Sequence, residues 1–357
     1  MLAPALDVPA RASHAYLFHG PGGSGKRQAA RALAAKLLSE GVRDPGSAHR
    51  RALSGAHPDL TWVVPSGAHE ILVSDIDEPV IAAASRTPFE AQRRVFVIER
   101  ADELGDEAAN RMLKTLEEPA PFVHLILLSE RPGEVLATIR SRCQAVRFEA
   151  PAETDVAAEL ERSGVQARTA LACVRLALGA TDRAHELAGA EGQALRAAAE
   201  RLARDAIAGE IPGKRPWLDV LRCARRRGEA AEARIAELGA AELELTARRD
   251  RKRVQTEWSE RGRRVRRREQ TAALDLALQV ASLWFADLAA LAHGASEQVR
   301  NLDRSAELAQ DAGASPTRLL QAMETVEETR ERFALNVSEE LACEALGLKL
   351  ARLLAAR

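Results

Sequence analysis

Seven residues lying between a short apolar run and a helical pattern, Gly20-Pro21-Gly22-Gly23-Ser24-Gly25-Lys26, have the types and spacing needed to hold a phosphate chain. Glycines let successive backbone N–H groups fold round an anion. The first turn of the helix that follows adds positive potential, and the lysine reaches the outer phosphates. At this chain's Gly and Lys frequencies the GxxxxGK spacing would arise by chance roughly 0.02 times. A glycine-rich turn without a ligand is the weaker alternative.

Two positions depart from what hydrolysis requires. Arg27 follows the lysine where a Mg²⁺-dependent phosphate loop places Ser or Thr as a metal ligand. A guanidinium cannot ligate a cation and would repel one by about 4 kcal/mol per unit of its charge at ~4 Å and an effective dielectric of about 20. Arg27 is therefore expected to turn away from the pocket. Further on, Val95-Phe96-Val97-Ile98 leads into Glu99-Arg100-Ala101-Asp102. A hydrolysing site needs one acid there for the metal and a second to polarise water. Glu99 could serve the metal, but Arg100 cannot serve the water, and Asp102 or Glu103 would take over only through a local shift. The expectation is a degenerate pocket that does not hydrolyse ATP, is able to hold ATP or ADP or to stand empty, and requires no cofactor.

The elements that position these residues can be read from periodicity. Short apolar runs at Ala15 to His19, Leu60 to Val64, Arg94 to Ile98, Val123 to Leu128 and Ala145 to Phe148 read as five strands covered on both faces. Between them Gln28 to Leu38, Asp75 to Arg86 and Asp106 to Leu116 carry helical spacing. The first 150 residues are thus expected to form an α/β domain with a parallel five-stranded sheet. After Pro151 the strand signals stop. Helices over 151–210 suggest a small lid domain that ends at a linker, Ile211-Pro212-Gly213, and 211–357 a second, all-α domain. Its last helix has a start signal at Asn336, with Glu339 three residues on.

Composition narrows the classes. With 357 residues, 46% hydrophobic, the chain can bury several cores, and a formal net charge of -1 removes the signature of a globally basic nucleic-acid binder. The apolar stretch Leu276 to Ala286 is short of the roughly 20 residues of a membrane span, so no membrane is expected. Met1 to Ser13 lacks a secretory pattern, and the expected location is the cytosol. Cys143, Cys173, Cys223 and Cys343 are far apart, which suggests buried, reduced thiols and neither a disulfide framework nor a zinc site. Six lysines against 45 arginines among 51 basic residues reflect a composition bias that weakens any argument from a single arginine. From Arg248 to Glu269 eleven bases less four acids leave +7. That stretch reads either as a solvated helix or as a face for DNA or a partner, with Trp258 available for stacking.

Several runs together resemble the clamp-loader branch of the AAA+ ATPases, in its bacterial DNA polymerase III form. They are His14-Ala15-Tyr16-Leu17-Phe18, His57-Pro58-Asp59-Leu60, Ala101-Asp102-Glu103-Leu104, Leu113-Lys114-Thr115-Leu116-Glu117-Glu118-Pro119 and Ser141-Arg142-Cys143. Leu283-Trp284-Phe285-Ala286-Asp287, Asn301-Leu302-Asp303-Arg304 and Asn336-Val337 add weaker likeness in the last third. The decayed pocket matches the kind of member that does not hydrolyse ATP. The resemblance implies a ring with delta and tau/gamma subunits that loads the sliding clamp on primed DNA, and it makes the C-terminal helices the ring's collar. It implies that Arg142, between Ser141 and Cys143, is an arginine finger for a neighbour's ATP site; a surface ion pair is the plain alternative. It places Ser129 at the sensor 1 position, although a strand-end hydroxyl reads equally well, and Arg183 at sensor 2, although helix-start arginines are common. Family members usually carry a four-cysteine zinc module after the phosphate-loop helix. Ser39 to His57 holds no cysteine, so zinc is not expected, and His49 and His57 read as surface histidines. Two other functions stay open: a tau/gamma-like ATPase, or a DNA-binding module on an inactive phosphate-loop fold.

Overall fold

A computed structural model describes residues 12–65, 71–245, 248–249, 251–333 and 337–355. The chain forms two compact units, Met1–Ala150 and Pro151–Arg357.

In the first unit β1 (Ala15–His19), β2 (Leu60–Val63), β3 (Arg94–Ile98), β4 (Val123–Ser129) and β5 (Gln144–Arg147) form one sheet in the order β2-β3-β4-β1-β5, every pair parallel. Alternation along the strands divides their side chains between two cores. Tyr16, Phe18, Val97 and Ile126 pack with Leu33, Leu37 and Leu38 of α1 (Lys26–Ser39) on one face. Leu17, Phe96, Ile98 and Leu125 pack on the other with segments described below. Covering both faces is what makes these strands uniformly apolar.

A helix that the periodicity does not signal, α2 (Pro45–Ser54), follows α1. Its signals lie at its ends: Asp44 accepts the Ser47 N–H at 3.0 Å, Pro45 opens the first turn, and Gly55 closes the helix at φ 80°. His57 is no surface residue. It is 2% exposed, its Nδ1 accepts the Asp59 N–H at 3.1 Å, and its Nε2 lies 3.1 Å from Glu90. The Asp59 carboxylate accepts the N–H groups of Phe89, Glu90 and Ala91 at 2.6 to 2.9 Å. The His-Pro-Asp-Leu run is thus a structural clasp. The helix expected over Asp75 to Arg86 is α3 (Val73–Ile76) continued by a π-helical turn, Asp77–Ala82. Next come α4 (Asp106–Glu117), whose Ala109 and Met112 line the second core, and α5 (Ala137–Arg140).

The second unit is helical: α6 (Glu153–Arg162), α7 (Ala167–Leu176), α8 (Thr181–Ala188), α9 (Ala190–Ile207), α10 (Ile211–Lys214), α11 (Trp217–Leu245), α12 (Arg251–Ala292), α13 (Ser305–Gln310), α14 (Pro316–Phe333) and α15 (Glu339–Ala355). Ile211-Pro212-Gly213 is no linker. Ile211 is fully buried in the first turn of α10, and one core runs from Leu160 and Leu202 through Trp217 and Trp284 to Leu350. Residues 151–210 and 211–357 share that core because α9 packs directly on α12. Helix α12 is long and apolar enough by composition to cross a membrane, and its apolar half is the centre of this core, with Leu274, Leu278, Trp284 and Phe285 at 0% exposure.

The Asn-Leu-Asp-Arg run is explained by a polar network. Asp287, fully buried, accepts N–H groups of Arg300 and Asn301 and the Asn301 Nδ2 at 2.8 to 3.0 Å. Arg196, also fully buried, donates to both carboxylate oxygens of Asp303 and to Asn301 Oδ1. Asn336 lies outside the described residues. Glu339 turns to α12, accepting from Gln270 Nε2 at 2.6 Å and from Thr271. The thiols are free, Cys173 and Cys343 buried but Cys143 and Cys223 only half-buried. Burial pushes Cys143 and Cys343 up to about 12.

Candidate nucleotide site and arginine finger

The phosphate loop leaves β1 at Gly20 and enters α1 at Lys26. Gly20 has φ 149°, and a Cβ there would lie 2.1 Å from the Phe148 carbonyl oxygen, so only glycine lets β1 and β5 stay paired to their ends. Gly25, at φ 86°, is the N-cap of α1 and offers no side-chain cap, which leaves the first N–H groups of the helix facing the loop. Lys26 is 6% exposed, and its ammonium donates to the carbonyls of Gly20 and Pro21 at 2.6 Å each and to Ser24 Oγ at 3.4 Å. Burial, then Arg147 and Lys26, holds His19 at the end of β1 below the usual histidine range, a mark of the positive potential here.

Arg27 does not turn away. Its guanidinium donates to Glu99 Oε2 at 2.5 Å, and Glu99 Oε1 accepts from Trp62 Nε1 at 2.7 Å. Arg31, one turn along α1, lies over the Trp62 ring at 5.0 Å. The Glu99 side chain is 7% exposed, and a buried carboxylate demands a partner. Arg27, directly after the loop lysine, supplies one, so residues 27 and 99 form a single unit. Arg100, at φ 54°, pairs with Glu103. Asp102 accepts the Glu130 N–H at 3.2 Å and faces Arg131 Nε at 3.3 Å. Both acids that could have replaced a catalytic one are committed to structural contacts.

Ser129 ends β4 beside the loop: its carbonyl accepts the Gly20 N–H at 3.2 Å, while its hydroxyl accepts the Arg131 N–H at 3.1 Å. Ser141, Arg142 and Cys143 form a separate group after α5. Arg142 is exposed, donating to Thr138 O at 2.8 Å, to Ser141 Oγ at 3.3 Å and to Glu117 Oε1 at 2.5 Å. Ser141 Oγ donates to Thr138 O at 3.1 Å. Arg183 belongs to the second unit, where it binds Gln279 and, at 3.2 Å, Asp275. Sequence reading missed Trp62, Arg31 and Glu117. Strand alternation marks Trp62 and Val64 as one face, but the Trp62 hydrogen bond depends on β2 lying beside β3. Among the described residues no group of three or more His, Cys, Asp or Glu could hold a metal ion.

Fold and loop together define a P-loop ATPase-type domain in which Glu99, just after β3, is held by an arginine of its own chain. Over residues 8–152 the chain matches the family described as "DNA polymerase III, delta subunit". It is 40% identical over 143 residues to the DNA polymerase III subunit delta' of Bacillus subtilis, 39% of this chain and 43% of that one. It is 35% identical over 143 residues to the subunit delta' of Pseudomonas aeruginosa, 39% of this chain and 44% of that one. With the subunit tau of Bacillus subtilis it shares 33% over 142 residues, 38% of this chain and 24% of that one. Residues 8–152 are thus similar to DNA polymerase III delta and delta' proteins, and the match spans less than half the length of each of these relatives.

Proposed function

We propose that the chain is a delta prime-type ring subunit of a DNA polymerase III clamp loader, one that does not hydrolyse ATP but completes the ATP site of a tau/gamma neighbour. One observation carries this reading: the Arg27–Glu99 ion pair at 2.5 Å puts a fixed cation of the protein against the acid that would otherwise hold Mg²⁺. A tau/gamma-like ATPase would need Glu99 unpaired and a second acid at position 100. The glycine loop, Lys26 and the helix N-terminus still suit a phosphate chain, so ATP or ADP binds without turnover, with Ser129 beside the loop. The chain needs no zinc. The residues of 151–210, Arg183 among them, act as the lid, and those of 211–357 as the collar that meets delta and tau/gamma.

Arg142 is the residue for export. Its ion pair with Glu117 is solvent-exposed and therefore weak, so a neighbour's γ-phosphate, with more charge, can displace the carboxylate. A guanidinium placed where phosphoryl charge develops raises turnover by about 10³ to 10⁵ in such sites. The test is ATP turnover, stimulated by clamp and primed DNA, in a loader rebuilt from tau/gamma, delta and this chain. Arg142→Ala is expected to assemble normally and to lose the share of turnover that belongs to the adjoining site. An assembled mutant ring with full turnover sinks the finger assignment, and failure of the wild-type chain to join the ring sinks the subunit assignment.

A further inference from the structure

The charged stretch after Arg248 plays no part in the phosphate loop or the finger. It lies on the outer half of a helical hairpin made by α11 and α12. The seam there is built from small residues: a Cβ on Gly228 would come within 2.7 Å of the Arg266 carbonyl and one on Gly239 within 2.8 Å of the Trp258 ring, while Gly262 is buried opposite Glu232 and Ile235. Trp258 therefore faces the companion helix, with Arg261 over its ring at 5.0 Å. Acids neutralise the flanks, Glu229 and Glu232 pairing with Arg266, Glu257 with Arg253 and Glu260 with Arg264.

The side turned away from the seam carries Lys252, Thr256, Ser259, Arg263 and Arg267, all exposed and spaced by three or four residues on one helical face. Residues 229 to 269 hold twelve bases and nine acids, a net of +3, and the excess is on α12 alone. Lys252 to Arg263 covers about 17 Å of helix, a length along which duplex DNA presents about ten phosphates. That face has no aromatic or aliphatic side chain. It lacks the apolar centre of a protein interface and the platform for stacking unpaired bases. We infer that the outward face of α12, from Lys252 to Arg267, binds the phosphodiester backbone of duplex DNA without reading sequence. The inference rests on the hairpin and not on the subunit assignment.

Fluorescence anisotropy of the full chain with a 30-base-pair labelled duplex tests it, the expected result being a Kd that rises about 40-fold between 50 and 200 mM salt, as neutralising about three phosphates with Lys252, Arg263 and Arg267 requires. The double variant Lys252→Ala/Arg263→Ala should bind at least tenfold more weakly at 50 mM and lower the salt slope by about 2. Arg162→Ala/Arg168→Ala removes two equally exposed charges elsewhere in the same unit and should change nothing. Both double variants replace exposed residues, and circular dichroism checks that each is folded. No binding at 50 mM, equal losses in both double variants, or a tenfold preference for single-stranded DNA overturns the inference. So does a Lys252→Ala/Arg263→Ala chain that binds the duplex as tightly as the wild type.

Discussion

The side chain of His124, in the middle of the sheet, shows how much one residue can bind a domain to pH. It is 3% exposed, its ring stacks on His14 with centroids 5.4 Å apart, and its Nδ1 is 2.9 Å from the Ser13 carbonyl oxygen. Burial pushes it down to about 4. Between that value and the unfolded value near 6.5 the unfolded chain binds a proton that the folded chain refuses. Stability is therefore complete above about pH 6.5 and falls with pH, by up to about 3 kcal/mol at pH 4. Urea unfolding at pH 7.5 and 4.5 should show most of that loss in the wild type and little of it in His124→Leu; an equal loss in both would assign it to another group. At this scale the sequence was informative about which residues matter and poor about which way they point. Arg27 and Glu99 are conspicuous by position, yet their bond spans 72 residues and exists only because the start of α1 and the end of β3 converge at the carboxyl end of the sheet. Repulsion by a metal was the wrong physics for Arg27, since the nearest strong charge is the Glu99 carboxylate.

Among elements, the hairpin of α11 and α12 depends on glycine more than on apolar area. Gly228→Val would drive a branched side chain into the Arg266 backbone, which cannot swing aside as a side chain can. The expected cost is about 1 to 3 kcal/mol, with the helices forced apart towards their outer ends. Limited trypsin digestion should then cut between Arg248 and Arg268 faster than in the wild type, while a rate equal to wild type would mean that the seam tolerates the side chain. Strands were legible because two buried faces leave nothing but apolar residues, and all five lie within one residue of their expected ends at both sides. Helix α2 escaped because its sequence, Pro-Gly-Ser-Ala-His-Arg-Arg-Ala-Leu-Ser, buries only Ala48 and Ala52 and so shows little stripe. Its caps, Asp44 and Gly55, were the readable sign. The supposed break at Ile211-Pro212-Gly213 misled because proline in a first helical turn and proline in a linker look alike without burial.

For the whole molecule the two units have separate cores, and the chain between Glu149 and Asp155 is exposed. Calorimetry should therefore resolve two transitions, and brief proteolysis near Pro151 should leave both in place; a single transition abolished by that cut would mean that the units fold as one. The two-unit division near 150 was readable from the end of the strand signals, whereas the continuity of the helical unit was not, because only packing tells a lid from the bundle it joins. Within that unit α12 has a mechanical consequence. Its 42 residues make a rod about 63 Å long with no proline, its last half clamped in the core and its first turns packed along α11. A rod without a joint does not absorb a load at its tip. Whatever presses on the outer turns is carried as torque into the layer of Leu278, Trp284 and Phe285, so the core, not the arm, yields first.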